Sequence, residues 1–258
     1  MPHRSQDDRE PNAGGADALP NLVVIGAMKC GTSALHRYLG CHPDIMMSEP
    51  KELNFFFGPD NADSETWTRG NWHRGVAWYV AHFDGRVRVR GESSPGYTSP
   101  SHPEVAQRMA ALVPAARLVY LVRDPVKRAV SQYCHHRAEG TETRPLGQAL
   151  LDPSSQYISR SRYYDRLAPF LRFGRWAIDV VCQEELLAER RSTLRALFEF
   201  LGVDGEYWAS AFNECRYTAN AEPARLDRWL HDQLAEALRD DADRLREFVG
   251  RDFLRWSL

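Results

Sequence analysis

Lys29 is the first residue whose surroundings suggest chemistry. It stands in Gly26-Ala27-Met28-Lys29-Cys30-Gly31-Thr32-Ser33-Ala34, a glycine-flanked loop that runs into a helical pattern. At a helix N-terminus the first backbone N–H groups point outward and carry a partial positive charge, so a phosphate or sulfate is stabilised there. Lys29 adds a full charge, and Thr32 and Ser33 add hydroxyl donors. A Walker A loop needs its lysine directly before Ser or Thr and after the second glycine, whereas Lys29 precedes Gly31. The displacement argues against an ordinary nucleoside-triphosphate enzyme. A tight strand-to-helix turn with a solvated lysine is the plain alternative.

Two further segments combine charge with a turn. Gly91-Glu92-Ser93-Ser94-Pro95-Gly96-Tyr97 sets a carboxylate at the end of a predicted strand. Beside an anion site Glu92 would repel phosphate, yet it would serve as a general base for an acceptor; it reads equally well as a helix cap or an ion-pair partner at the strand edge. Arg123-Asp124-Pro125-Val126-Lys127-Arg128-Ala129-Val130-Ser131 sets an arginine after the apolar run Leu118-Val119-Tyr120-Leu121-Val122. Arginine binds phosphate bidentately, and Ser131, two turns into the next helix, can add a hydroxyl. The alternative is that Arg123 pairs internally with Asp124 or another acid.

The elements that must hold these residues are strands alternating with helices. Residues 22–25, 87–92, 118–122 and 176–182 read as strands, and 32–40, 103–112, 126–137, 186–201 and much of 225–258 as helices. Tyr163, Leu167, Phe170 and Leu171 share one helical face. Residues 49–84 read as largely irregular, and 145–159 as a loop with short helical pieces. This alternation predicts an α/β fold, a single P-loop-like domain with a central parallel sheet flanked by helices on both faces. Ligands of such sheets sit beyond the carboxyl ends of the strands, and each chemical segment follows a predicted strand, so the three can converge.

Composition narrows the classes. A chain of 258 residues with 43% hydrophobic and 26% charged residues suits one soluble domain, here 21–258 after a disordered tail over 1–20. A net charge of -2 leaves no basic excess for nucleic-acid phosphates. The five scattered cysteines read as reduced thiols, and no stretch has the apolar length of a signal or membrane span, so a cytoplasmic location is expected. Cys134, His135 and His136 look like a metal cluster, but neighbouring residues on a helix point about 100° apart and cannot chelate together. No metal is expected. The aromatic residues from Trp67 to Phe83 could stack on an acceptor, though packing into the core is the commoner fate of such side chains.

Taken in order, Val24 to Ala34, His42-Pro43, Lys51-Glu52 with Phe55-Phe56, Gly91-Glu92 with Ser94-Pro95 and Tyr97, and Arg123-Asp124-Pro125 with Arg128 and Ser131 resemble the PAPS-dependent sulfotransferases. The branch is similar to the heparan-sulfate N- and 3-O-sulfotransferases and their bacterial relatives, and the likeness continues through Ser161-Arg162-Tyr163-Tyr164 and Phe200-Leu201-Gly202-Val203. It implies transfer of a sulfuryl group from 3'-phosphoadenosine 5'-phosphosulfate (PAPS) to a small-molecule or carbohydrate acceptor, leaving 3'-phosphoadenosine 5'-phosphate (PAP). Lys29, Cys30, Gly31, Thr32, Ser33 and Ala34 would bind the 5'-phosphosulfate, Arg123 and Ser131 the 3'-phosphate, and Glu92 would be the base. Tyr164 and Arg216 are implied as further donor contacts, Arg216 with Tyr217 only weakly because no Lys-Gly-Arg type segment is present near them. Ser93 stands where those relatives usually carry lysine, which Lys51 could replace. A nucleotide-binding kinase-like enzyme and a non-catalytic nucleotide-binding module are the competing expectations.

Overall fold

Five short apolar segments make the sheet: β1 (Leu22–Gly26), β2 (Ile45–Met47), β3 (Val89–Ser93), β4 (Arg117–Val122) and β5 (Ile178–Cys182), all parallel and ordered β2-β3-β1-β4-β5. The computed structural model describes residues 18–58, 70–214 and 224–258. Leu22, Val23, Val24 and Ile25 are fully buried, as are residues 118–122 of β4, which is why both strands read as unbroken apolar runs rather than alternating ones. Burying each such side chain contributes about 1.5–3 kcal/mol relative to exposure. β1 lies between β3 and β4, with Val24 opposite both Ser93 and Val119. The turns after β1, β3 and β4 therefore stand side by side at the carboxyl rim.

Helices cover the sheet as predicted. α1 (Thr32–Gly40) follows the glycine loop, and α2 (Gly75–Val80), α3 (Val105–Leu112) and the long α4 (Pro125–Ala138) come next, α4 directly after β4. α5 (Leu146–Leu151), α6 (Gln156–Ser159) and α7 (Tyr163–Leu167) lead to β5, and α8 (Gln183–Ala188), α9 (Arg190–Leu201) and α10 (Arg228–Val249) complete the order. The side chain of Asp227 caps α10 by accepting from Leu230 N at 2.8 Å, and Gly250 ends it at φ 74°, a left-handed stop that glycine adopts without strain. Leu230, Leu234, Ala235 and Leu238 of α10 bury against Val126, Ala129, Val130 and Tyr133 of α4, forming a second apolar cluster beside the main core. Asp241, also on α10, accepts from Tyr164 N at 3.0 Å and Asp165 N at 2.9 Å, so one helix caps the start of another.

Several local features depart from the sequence pattern. The helix expected over 186–201 is two, because the chain breaks at Glu189 (φ -131°, ψ 46°). After α7 the backbone tightens into a 3-10 turn over Ala168–Phe173, where Pro169 lacks the N–H that an α-helix would need. β2 was not predicted; three residues at a sheet edge leave too short a pattern to see. Within 49–84, Phe55, Phe56, Phe57, Tyr79 and Phe83 are buried, with Phe55 stacked on Tyr79 at 4.1 Å, so these aromatic residues are core; Trp67 lies outside the described residues. Of the expected tail, residues 1–17 also lie outside them, but Ala18 is already buried and Leu19 O accepts from Arg90 Nε at 3.0 Å. Among the described residues no helix is long and apolar enough to cross a membrane.

Candidate active site

The turn from β1 into α1 is held by its backbone. Ala27 N donates to Leu121 O of β4 at 2.6 Å, and Cys30 N donates to Ala27 O at 3.2 Å, closing the turn. Gly31 sits at φ 93°, where glycine is at ease, but Lys29 also takes a left-handed φ of 70°, which costs a side-chain-bearing residue about 1–3 kcal/mol. Gly31 has no side chain to cap α1, so the amides of Thr32 and Ser33 at the helix start are available to an anion. Thr32 is buried, Ala34 half-buried and Ser33 exposed. Burial draws the Lys29 ammonium below its ordinary pKa, an effect opposed by Glu139 and reinforced by Arg128 and Arg123. Cys30 points inward, its Sγ 3.4 Å from the Tyr163 hydroxyl, and burial pushes its thiol up to about 11. Cys30 therefore offers a ligand its backbone only.

Arg123 comes to the same rim from β4. Its Nη1 donates to Lys29 O at 3.5 Å, and both of its backbone groups meet one phenol: Arg123 N donates to Tyr163 Oη at 3.3 Å while that hydroxyl donates to Arg123 O at 2.8 Å. Asp124 does not pair with Arg123. It caps α4 by accepting from Lys127 N at 3.0 Å and takes Ser257 N at 2.7 Å from the chain end, which leaves the Arg123 guanidinium without a carboxylate partner among the described residues. Ser131 is half-buried on α4, three residues after Arg128 and four before His135, so the three side chains share one helix face. His135 Nε2 lies 3.3 Å from Glu139 Oε1, and its pKa is lowered by burial and by Lys29.

Glu92 is enclosed. It is 0% exposed, and three hydroxyls point at it: Tyr79 at 2.5 Å and Tyr97 at 2.8 Å to Oε1, Ser94 at 2.7 Å to Oε2. Burial raises its pKa, and the three hydroxyls pull back. Two of these hydroxyls accept backbone N–H groups from the preceding loop, Asn54 N to Ser94 Oγ at 3.0 Å and Phe55 N to Tyr97 Oη at 2.9 Å, while Glu52 N donates to Ser93 O at 3.1 Å. Glu92 thus anchors the segment that carries Glu52. Glu52 holds a left-handed φ of 66°, its side chain is 45% exposed, and it pairs with Lys51. Ser93, pointing to the other face of the sheet, shares a hydrogen bond of 2.9 Å with His36 Nδ1 of α1, whose pKa falls to about 4 through burial and the neighbouring Lys51.

A family model described as the sulfotransferase family matches residues 71–208, more than half of the sequence. The chain belongs to the sulfotransferase family. It is 36% identical over 127 residues to the human bifunctional heparan sulfate N-deacetylase/N-sulfotransferase 3, covering 47% of this chain and 14% of that protein. Against the mouse heparan sulfate glucosamine 3-O-sulfotransferase 3A1 it is 29% identical over 202 residues, 73% of this chain and 47% of that protein. The chain thus spans less than half the length of these curated relatives. A crystal structure of a sulfotransferase from Alicyclobacillus acidocaldarius superposes with a TM-score of 0.75 at 29% identity, over 93% of this chain and 99% of that one.

In this member of the sulfotransferase family the glycine loop and Arg123 share one rim, whereas the side chains of Tyr164 and Glu92 are turned away from it. Tyr164 turns to α10, under the Arg244 guanidinium at 5.0 Å and edge-on to Phe248 at 6.2 Å; the tyrosine beside the loop is Tyr163, one position and about 100° away on the helix. Glu92 is fully buried behind three hydroxyls, whereas Glu52, signalled in the sequence only by its place in Lys51-Glu52, keeps its side chain 45% exposed. Arg216 and Tyr217 lie outside the described residues. The cysteine and histidines of α4 diverge: Cys134 Sγ accepts from Ala224 N at 3.4 Å, His136 Nδ1 meets Tyr157 Oη at 3.1 Å, and His135 pairs with Glu139.

Proposed function

We infer that this chain transfers a sulfuryl group from PAPS to a hydroxyl or amine of a carbohydrate or small-molecule acceptor. One observation carries the reading: Arg123, free of any carboxylate partner among the described residues, reaches the backbone of Lys29, so two cationic anchors for the two ends of a 3',5'-phosphorylated nucleotide share one rim. Lys29 and the start of α1 suit the 5'-phosphosulfate; Arg123 and Ser131 suit the 3'-phosphate. During in-line attack on sulfur, negative charge grows on the bridging oxygen of the leaving phosphate. The Lys29 ammonium and the α1 amides stabilise that charge, and stabilisation that grows with the transition state is what raises turnover.

The acceptor proton goes to Glu52 rather than Glu92. Glu52 is accessible and held by Lys51, whereas Glu92 serves as the buried anchor of the loop bearing it. His135 with Glu139, close enough to Lys29 to lower its own pKa, lines the α4 side of the same space. Four described cysteines are free thiols, which supports a reducing compartment such as the cytoplasm. Titration calorimetry against PAP and ATP, followed by a labelled-PAPS turnover assay over sugar, amino-sugar and phenolic acceptors, tests the reading. PAP is expected to bind at least about tenfold more tightly than ATP, since one charge-assisted phosphate contact is worth that much. Equal binding, or turnover with ATP, would replace sulfuryl transfer with a kinase-like activity.

A further inference from the structure

Behind the glycine loop lies a crevice that the donor does not account for. Ala27 and Met28 from the loop and Pro95 and Thr98 from the turn after β3 line a narrow crevice together with Arg128 and Arg160. Arg128 is fully buried and Arg160 nearly so. Arg128 spends Nε on Ser161 Oγ at 2.8 Å and Nη2 on Gln132 Oε1 and Tyr157 O, while Nη1 is buried with no partner. Every acceptor it meets is neutral, and among the described residues no carboxylate pairs with it. A guanidinium so placed is costly unless an anion joins it. Arg160 Nη1 touches the Met28 Sδ at 3.8 Å, a weak acceptor on a flexible side chain.

The geometry points to an oxyanion subsite for the acceptor: a carboxylate or sulfate group carried by the acceptor displaces the Met28 thioether and is held by Arg128 Nη1 and Arg160. The inference rests on the sulfuryl-transfer reading and names the class of acceptor, an anionic one. The crevice as it stands is too narrow for a water-sized sphere, so the occupant must part its walls, and the Met28 side chain is the wall that yields. Donor phosphates are the less suitable occupant because Lys29 is not among the walls, whereas Pro95 and Thr98 follow the Glu92 anchor that holds the Glu52 segment.

The test compares two probes by titration calorimetry, a glucuronate-containing disaccharide and the same disaccharide with glucose in place of glucuronate, each with and without saturating PAP. The wild type is expected to bind the carboxylate probe about tenfold to a hundredfold more tightly, the worth of a charge-assisted hydrogen bond. Arg160→Met should erase that preference while leaving PAP affinity unchanged, and Arg160→Lys should restore part of it; Arg160→Gln replaces the first variant should it fail to fold. Equal affinities in the wild type, or a preference that survives Arg160→Met, would overturn the subsite. A parallel loss of PAP affinity in Arg160→Met would assign the arginine to the donor and likewise overturn it. Failure of the wild type to bind PAP would instead sink the donor reading, and the PAP-free titrations would still judge the crevice.

Discussion

The guanidinium of Arg123 reaches the backbone carbonyl of Lys29, Nη1 to O 3.5 Å, across a separation of 94 residues. The contact exists because β1 and β4 are neighbours in the sheet, so the turn after one abuts the turn after the other. Tyr163 reinforces it from α7, with its hydroxyl on the Arg123 backbone and its oxygen beside Cys30.

Replacing Lys29 by alanine should lower kcat by about 10²- to 10³-fold, the usual effect of removing one donor that stabilises developing negative charge. Circular dichroism melting should show an unchanged Tm within about 2 °C, because the partly desolvated ammonium has no hydrogen-bond or ion-pair partner among the described residues whose loss would cost folding. Full activity in this variant would remove Lys29 from the chemistry.

Glu52→Gln and Glu92→Gln should part company. The first is expected to cut kcat by about 10²- to 10⁴-fold, the range for a general base, with PAP affinity retained. The second should keep turnover within about tenfold, since its amide can still hold the hydroxyls of Ser94 and Tyr97 that seat the Glu52 loop. The reverse ranking would return the base role to Glu92.

Glu92 should also leave a mark on stability. Its folded pKa is raised above the ordinary 4.5 by burial, so folding favours the protonated form. The contribution is fully present below the unfolded value and is lost as pH rises through the raised folded value. Urea unfolding of wild type and Glu92→Gln from pH 4 upward should show the wild type losing ground relative to the variant over that interval. Parallel curves would mean that the carboxylate is not desolvated.

Tyr163→Phe should destabilise the fold by about 1–3 kcal/mol, because Arg123 N–H loses the oxygen that accepts it near the rim. The informative readout is PAP affinity, which should weaken while Tyr164→Phe leaves it unchanged, as Tyr164 faces α10. PAP affinity unchanged in both variants would place both tyrosines outside the donor site.

Arg123→Gln should abolish selection for the 3'-phosphate. In competition titrations the wild type is expected to prefer PAP to adenosine 5'-monophosphate by about tenfold to a hundredfold, and the variant to bind both alike. A preference unchanged by the substitution would mean that another group reads the 3'-phosphate.

Local pattern was enough for the strand, glycine loop and helix at residues 22–40, since each of those features is written in consecutive residues: an apolar β-branched run, a glycine, then helical spacing. The same holds for β4 and α4, and the parallel direction of the strands followed from their alternation with helices. The short edge strand β2, the break at Glu189 and the 3-10 turn at Pro169 escaped, because packing and not pattern decides elements of a few residues.

The sequence by itself determined which three turns bear charge and that each lies at the carboxyl end of a parallel strand. Only the tertiary structure decided which side chain on each turn meets the site. Successive residues on a strand face opposite sides and those on a helix diverge by about 100°, so a shift of one position exchanges Tyr163 for Tyr164. Glu92 was legible as a carboxylate, but the hydroxyls that enclose it come from Tyr79, Ser94 and Tyr97, and their convergence is a property of the folded core.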